Sequence, residues 1–138
     1  MSFEVVKNGT LEYLVSTLLD TPHCFSTRRG GVSEGCFSSL NLGLNRGDCL
    51  EHCLQNYQIL GHAVGFSAQD TVFSRQIHSS LVQQVGQQDR GCGFLPETAP
   101  RDGMITQDRQ VALTVFGADC TPVLLYDPVH CAVGAVHS

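Results

Sequence analysis

Gly117-Ala118-Asp119-Cys120-Thr121-Pro122 lies between two apolar runs, Val111 to Phe116 before it and Val123 to Tyr126 after it; a third run, Ala132 to Val136, carries the chain to His137. Short apolar runs rich in β-branched residues and bounded by Gly, Asp and Pro read as strands. The final third is therefore expected to be three strands close together. Cys120 and His137 each stand beside one of them. Strand ends are where a rigid scaffold presents side chains to chemistry. The pair reads in three ways: a nucleophile and its base, two ligands of one metal, or a buried thiol and a His that closes a strand.

Working back toward the N-terminus, Asp102 to Thr106 enters a strand and Gln107 to Gln110 makes a turn. Gly86 to Pro100 has loop composition. Leu81 to Val85 and Thr71 to Phe73 read as strands, and Gln76-Ile77-His78 continues the latter in a strand-like segment. Leu50, Cys53, Leu54, Tyr57, Leu60 and Val64 recur at spacings of three and four. That is one face of an amphipathic helix, with Asp48 as its N-cap, Glu51 as the reciprocal partner and Gly65 as its close. His52 and His62 fall off the stripe, toward solvent. Ser38 to Leu44 reads as loop plus a short strand. His23 to Thr27 reads as a strand running into Thr27-Arg28-Arg29-Gly30-Gly31-Val32-Ser33. Arg beside a Gly-rich turn suits an anion, because guanidinium and freed N–H groups both favour phosphate; an ordinary surface loop has the same composition. Phe3 to Val6 and Leu11 to Val15 read as strands, with a helix over Leu11 to Leu19 as the alternative.

The chain has 138 residues, which suggests one domain over 1–138. Its net charge of -5 leaves no basic patch to neutralise phosphates, so nucleic acid is not the expected partner. No apolar run approaches the roughly 18 residues of a membrane span. Met1 to Thr10 lacks a basic-then-apolar signal pattern, so a cytoplasmic location is expected. Seven Cys without a C-x-x-C pair read as reduced thiols, most of them small buried hydrophobes.

The order of motifs resembles one family. Phe25-Ser-Thr-Arg-Arg-Gly-Gly-Val-Ser33, Ser39-Leu-Asn-Leu-Gly43, Gly47-Asp48, Asn56, Gln76-Ile-His78, Asp102-Gly-Met-Ile-Thr106, Ala118-Asp-Cys-Thr-Pro-Val-Leu-Leu125 and Ala135-Val-His137 are similar to the YfiH-like, or laccase-domain, family. The resemblance covers nearly the whole chain. It implies an α+β fold of mixed central β-sheets flanked by helices, and a metal site of His78, Cys120 and His137. Three N/S ligands suit zinc and leave a position for water or substrate. Three departures stand out. Ser79 replaces the family's Gly, Gly117 replaces its Thr, and the chain ends at Ser138 without the family's Gly-Trp-Arg-Gly segment. The sequence is thus expected to be the N-terminal portion of the family's domain.

The resemblance implies a zinc-dependent purine nucleoside phosphorylase acting on nucleoside and phosphate, with adenosine deaminase and methylthioadenosine phosphorylase activity besides. Cys120, His137 and Arg28 are the catalytic candidates. Arg28 would hold phosphate or nucleoside, Asn41 would position that loop or the substrate, and Asp119 would orient a group behind the metal ligands. The alternatives are a copper-dependent polyphenol oxidase, a metal-free hydrolase using Cys120 and His137, and a non-catalytic binding or editing module. Without the second half, the last residues are expected to fray, so that zinc is weakly held or His78 and Cys120 stay metal-free with His137 displaced. Apolar surface should be uncovered and promote association, including homo-oligomers.

Overall fold

The computed structural model describes residues 3–91 and 99–138. It divides into two compact units, Met1–Ala68 and Gln69–Ser138. The fold is α+β, with mixed sheets and, among the described residues, one α-helix.

In the first unit, β1 (Phe3–Asn8) and β2 (Leu11–Ser16) form a hairpin. Gly9 takes φ 61° at its two-residue turn, a conformation open to glycine. Leu11 and Tyr13 alternate inward along β2, which excludes the helical alternative for this segment. β3 is only Phe25–Ser26, shorter than His23 to Thr27, and pairs antiparallel with β2. Ser38 to Leu44 forms no strand. The helix α1 spans Leu50–Val64, as its periodicity predicts, and ends at Gly65 in the left-handed region with φ 102°. Its N-cap is Cys49 rather than Asp48. Leu11, Tyr13, Leu40 and Leu60 form the core of this unit. His62 is exposed, and His52 is half-buried, 4.0 Å from the Asp48 carboxylate.

Asp48 leaves the capping position because it has other donors to satisfy. Its Oδ2 accepts from the Ser33 hydroxyl at 2.6 Å and from the Asn41 amide at 2.9 Å. Asn56, fully buried on α1, accepts the Val32 N–H and donates to Ser33 Oγ and the Asn41 carbonyl. These side chains fasten the Gly-rich turn and the Asn41 loop to the helix. The two glycines serve close approach: a Cβ on Gly30 would overlap the Leu11 backbone, and one on Gly31 the Ser39 carbonyl and the Asn56 side chain. The turn's N–H groups are spent inside the protein, those of Gly30 and Gly31 on Ser39 Oγ at 3.0 and 3.3 Å. The anion-cradle expectation therefore loses its backbone donors and keeps only the arginine side chains.

The second unit holds two sheets. β4 (Thr71–Phe73) runs parallel to β7 (Ala112–Thr114). The other sheet has the order β5 (Val82–Gln84), β6 (Gly103–Thr106), β9 (Ala132–His137), β8 (Pro122–Asp127). β5–β6 is parallel and the remaining pairs are antiparallel. Two of the last three strands therefore pair, while β7 joins β4 in the separate sheet. Met104, Thr106, Ala135 and His137 are buried on one face of the larger sheet, and Val72, Val85 and Met104 form the core. Val82, Ile105, Val123 and Leu125 share the opposite face and are exposed. Among the described residues, no helix is long and apolar enough to cross a membrane.

Asn56→Ala would leave the Val32 N–H and the Asn41 carbonyl without their side-chain partner, at about 1–3 kcal/mol for each group left without water or protein, while the Ser33 hydroxyl keeps its bond to Asp48. The expected result is a clear fall in the urea midpoint of the first unit; an unchanged midpoint would show that the network contributes nothing. Hydrogen bonds from Asn41 and Ser33 hold the Asp48 carboxyl below its usual range. A depressed folded pKa contributes stability above the unfolded value of about 3.9, and that stability is lost as pH falls through the folded value. Asp48→Asn should therefore flatten the acid side of the stability curve, followed by near-UV circular dichroism.

Candidate metal centre

The structure gathers His78, Cys120 and His137: one ligand atom from each lies within 4.8 Å of the others. His78 is exposed, Cys120 half-buried and His137 buried. The two imidazoles meet edge to face, with centroids 4.7 Å apart at 68°.

Each candidate ligand is delivered by a different device. His137 ends β9 opposite Pro122, so the ladder fixes its place. The chain beyond it is tied down, because Thr121 and Ser138 exchange backbone hydrogen bonds at 2.8 and 3.2 Å. The expected fraying of His137 is thus opposed by the β8–β9 pairing. Cys120 stands in the turn before β8. Gln76 clamps the approach to that turn, donating to the Phe116 carbonyl at 2.8 Å and accepting the Phe116 N–H at 2.6 Å. Phe73 and Phe116 stack at 5.9 Å beside this clamp. His78 is not on a strand. It sits in a loop with φ 58°, in the left-handed region.

The loop takes that shape around Asp102, a buried carboxylate just ahead of β6. Asp102 Oδ1 accepts the Ile77 N–H at 3.1 Å and the His78 N–H at 3.0 Å. Its Oδ2 accepts the Ser79 N–H at 2.8 Å and the Ser79 hydroxyl at 2.7 Å. Oδ1 also meets His137 Nδ1 at 2.8 Å, and the Asp102 carbonyl accepts the His137 N–H at 2.7 Å. Burial pushes the carboxyl pKa up, but the hydrogen bonds from His137, Ser79 and Ile77 outweigh it and hold the group well below the carboxylate range. An ionised Asp102 can only accept, so His137 Nδ1 carries the proton and Nε2 is left as its donor atom. Two imidazoles and a thiol in this arrangement fit a zinc or copper ion.

Asp102 and Gln76 belong to quoted motifs, but sequence reasoning gave neither a role. The available signals were an acidic residue abutting an apolar strand and an amide two positions before a candidate ligand. Asp119 is exposed with φ 71°, and among the described residues its carboxylate has no hydrogen-bond partner. Arg28 and Asn41 belong to the first unit. Arg28 is exposed, and its Nε and Nη2 donate to the Ser38 carbonyl at 2.9 and 2.6 Å. Asn41 is occupied in holding Asp48 and the Gly43 N–H.

A family profile described as multi-copper polyphenol oxidoreductase laccase matches residues 22–138. The chain belongs to this laccase-domain family. Purine nucleoside phosphorylase YlmD of Bacillus subtilis is 37% identical over 117 residues, which cover 83% of this chain and 42% of that protein. A purine nucleoside phosphorylase of Deinococcus radiodurans is 38% identical over 120 residues, covering 87% of this chain and 44% of that one. The crystal structure of YlmD from Geobacillus stearothermophilus superposes with a TM-score of 0.87 at 28% identity, over 99% of this chain and 53% of that one. The chain thus spans about half the length of these relatives, and over that span its fold is that of the Geobacillus stearothermophilus structure.

Cys120 lies outside both core clusters. Cys120→Ala is therefore expected to keep the wild-type circular dichroism spectrum while metal per chain, measured by elemental analysis after dialysis, falls close to zero. Full retention of metal would remove Cys120 from the ligand set.

Proposed function

We propose that the chain carries the metal-binding portion of a zinc-dependent purine nucleoside phosphorylase, acting on a purine nucleoside and phosphate. Adenosine deamination and methylthioadenosine cleavage are further activities of the same reading. The observation that carries it is the convergence of His78, Cys120 and His137 within 4.8 Å, in a chain whose relatives are named purine nucleoside phosphorylases. When bound, zinc supplies Lewis acidity at this point. The other tasks fall to the chain's own residues. His137, held by Asp102 through Nδ1, presents Nε2. Arg28 spends two of its five N–H donors on Ser38, and the other three have no partner among the described residues, which suits a phosphate oxygen. Asp119 offers an exposed acceptor beside Cys120. Asn41 acts through the loop it holds. The six described cysteines are free thiols, the state a reducing cytoplasm maintains.

A second reading has its own observation. Asp102, His137 and Cys120 stand in the order of an orienting carboxylate, a base and a thiol nucleophile, which would serve a metal-free hydrolase. Copper in the same ligands would serve phenol oxidation, as the family description has it.

Assays of the metal-free, zinc-loaded and copper-loaded chain separate these readings. The expected outcome is phosphate-dependent release of adenine from adenosine by the zinc form alone. Arg28→Ala should raise the KM for phosphate about 10–100-fold, the equivalent of one or two charge-assisted hydrogen bonds, with zinc content unchanged. If the zinc-saturated chain releases neither adenine nor inosine, this reading fails and a non-catalytic module is favoured.

A further inference from the structure

Among the described groups that the proposed reaction leaves without a direct part, Asp102 has the densest set of bonds. It is a buried carboxylate that touches neither the thiol nor solvent, yet it bonds to both histidine-bearing segments. Three consecutive N–H groups, from Ile77, His78 and Ser79, converge on it. Such convergence requires the chain to fold back on itself, and His78 is the residue that takes the left-handed conformation for it. On the other side, the carboxylate lies 2.8 Å from His137 Nδ1 while the backbone carbonyl of Asp102 takes the His137 N–H.

We infer that Asp102 is the positioning residue of the metal centre: one carboxylate sets the His78 loop and the tautomer of His137 together, so that both imidazoles are placed before a metal arrives. The inference rests on the reading of His78, Cys120 and His137 as a metal site. Ligand order that exists beforehand need not be created on binding, and partners behind a ligating His commonly change metal affinity by about 10–100-fold. Ser79 strengthens the arrangement in this chain, because its hydroxyl adds a donor to Oδ2 and accepts the Leu81 N–H at 3.3 Å. Asparagine cannot replace Asp102. One of its two side-chain positions would become an N–H donor facing either the Ser79 N–H or the His78 N–H. In either flip a donor meets donors that have no other acceptor at that place.

The experiment has two readouts other than turnover. Cobalt is titrated into wild type and Asp102→Asn in competition with a chelator, following the absorption of the cobalt–thiolate centre. The imidazole nitrogens of the metal-free protein are observed by ¹⁵N NMR. Asp127→Asn is the control, because Asp127 bonds His130 Nδ1 at 2.7 Å in the exposed β8–β9 turn, outside the ligand cluster. The expected results are a loss of about 10–100-fold in cobalt affinity for Asp102→Asn, none for Asp127→Asn, and an Nδ1-protonated His137 in wild type that turns into a mixture in Asp102→Asn. Wild-type affinity and an unchanged tautomer in Asp102→Asn would overturn the inference. If that variant does not fold, the wild-type spectrum decides: Nδ1–H on His137 supports the inference and Nε2–H overturns it. If the wild-type chain takes up no cobalt, the metal reading falls, while the tautomer still decides whether Asp102 positions His137.

Discussion

The second unit depends on how one buried negative charge is satisfied. Asp102 sits at the entry to β6 with almost no exposure, where an unpaired carboxylate would be very costly. It is satisfied by folding the 77–79 segment around it and by drawing His137 against it. The same bonds that make its burial tolerable therefore determine where two imidazoles go. Local strain at His78 is the consequence, and it persists because three N–H bonds hold it.

Cys120 is brought in by amide and backbone pairing rather than by charge. The Gln76 carboxamide acts like a short piece of β-ladder, taking both the N–H and the carbonyl of Phe116. The Thr121–Ser138 pair extends the β8–β9 ladder past its last assigned residues and sets Cys120 beside His137. Gly117 permits the tight turn, since a Cβ there would press on Pro122 and the Cys120 carbonyl. The three candidate ligands thus share a scaffold in which two side chains, Asp102 and Gln76, are paired with backbone groups and the β8–β9 ladder supplies the rest.

The first unit solves a similar problem with neutral groups added. Asn56 and Asp48 absorb the free donors and acceptors of two loops that carry no ladder of their own. Residues that looked like binding chemistry in sequence, the paired glycines and Asn41, are occupied by this internal accounting of donors and acceptors. Arg28 is different. Its stem is anchored by the Ser38 carbonyl while part of its guanidinium remains available.

The sequence by itself determined the helix over Leu50–Val64, because a 3.6-residue apolar period and a closing Gly act locally. It determined most strands by their short apolar runs, and it singled out His78, Cys120 and His137 through the order of motifs. It did not determine that β7 would leave β8 and β9 for β4, since strand pairing is a choice among partners distant in sequence. It did not reveal that His78 lies on a left-handed loop, that Asp48 serves Asn41 and Ser33 rather than the helix end, or that Asp102 stands behind two candidate ligands. Those outcomes follow from burial. Whether a polar side chain is a cap, a ligand or a clamp depends on which unpaired donors and acceptors surround it once water is removed, and only the tertiary structure decides which those are.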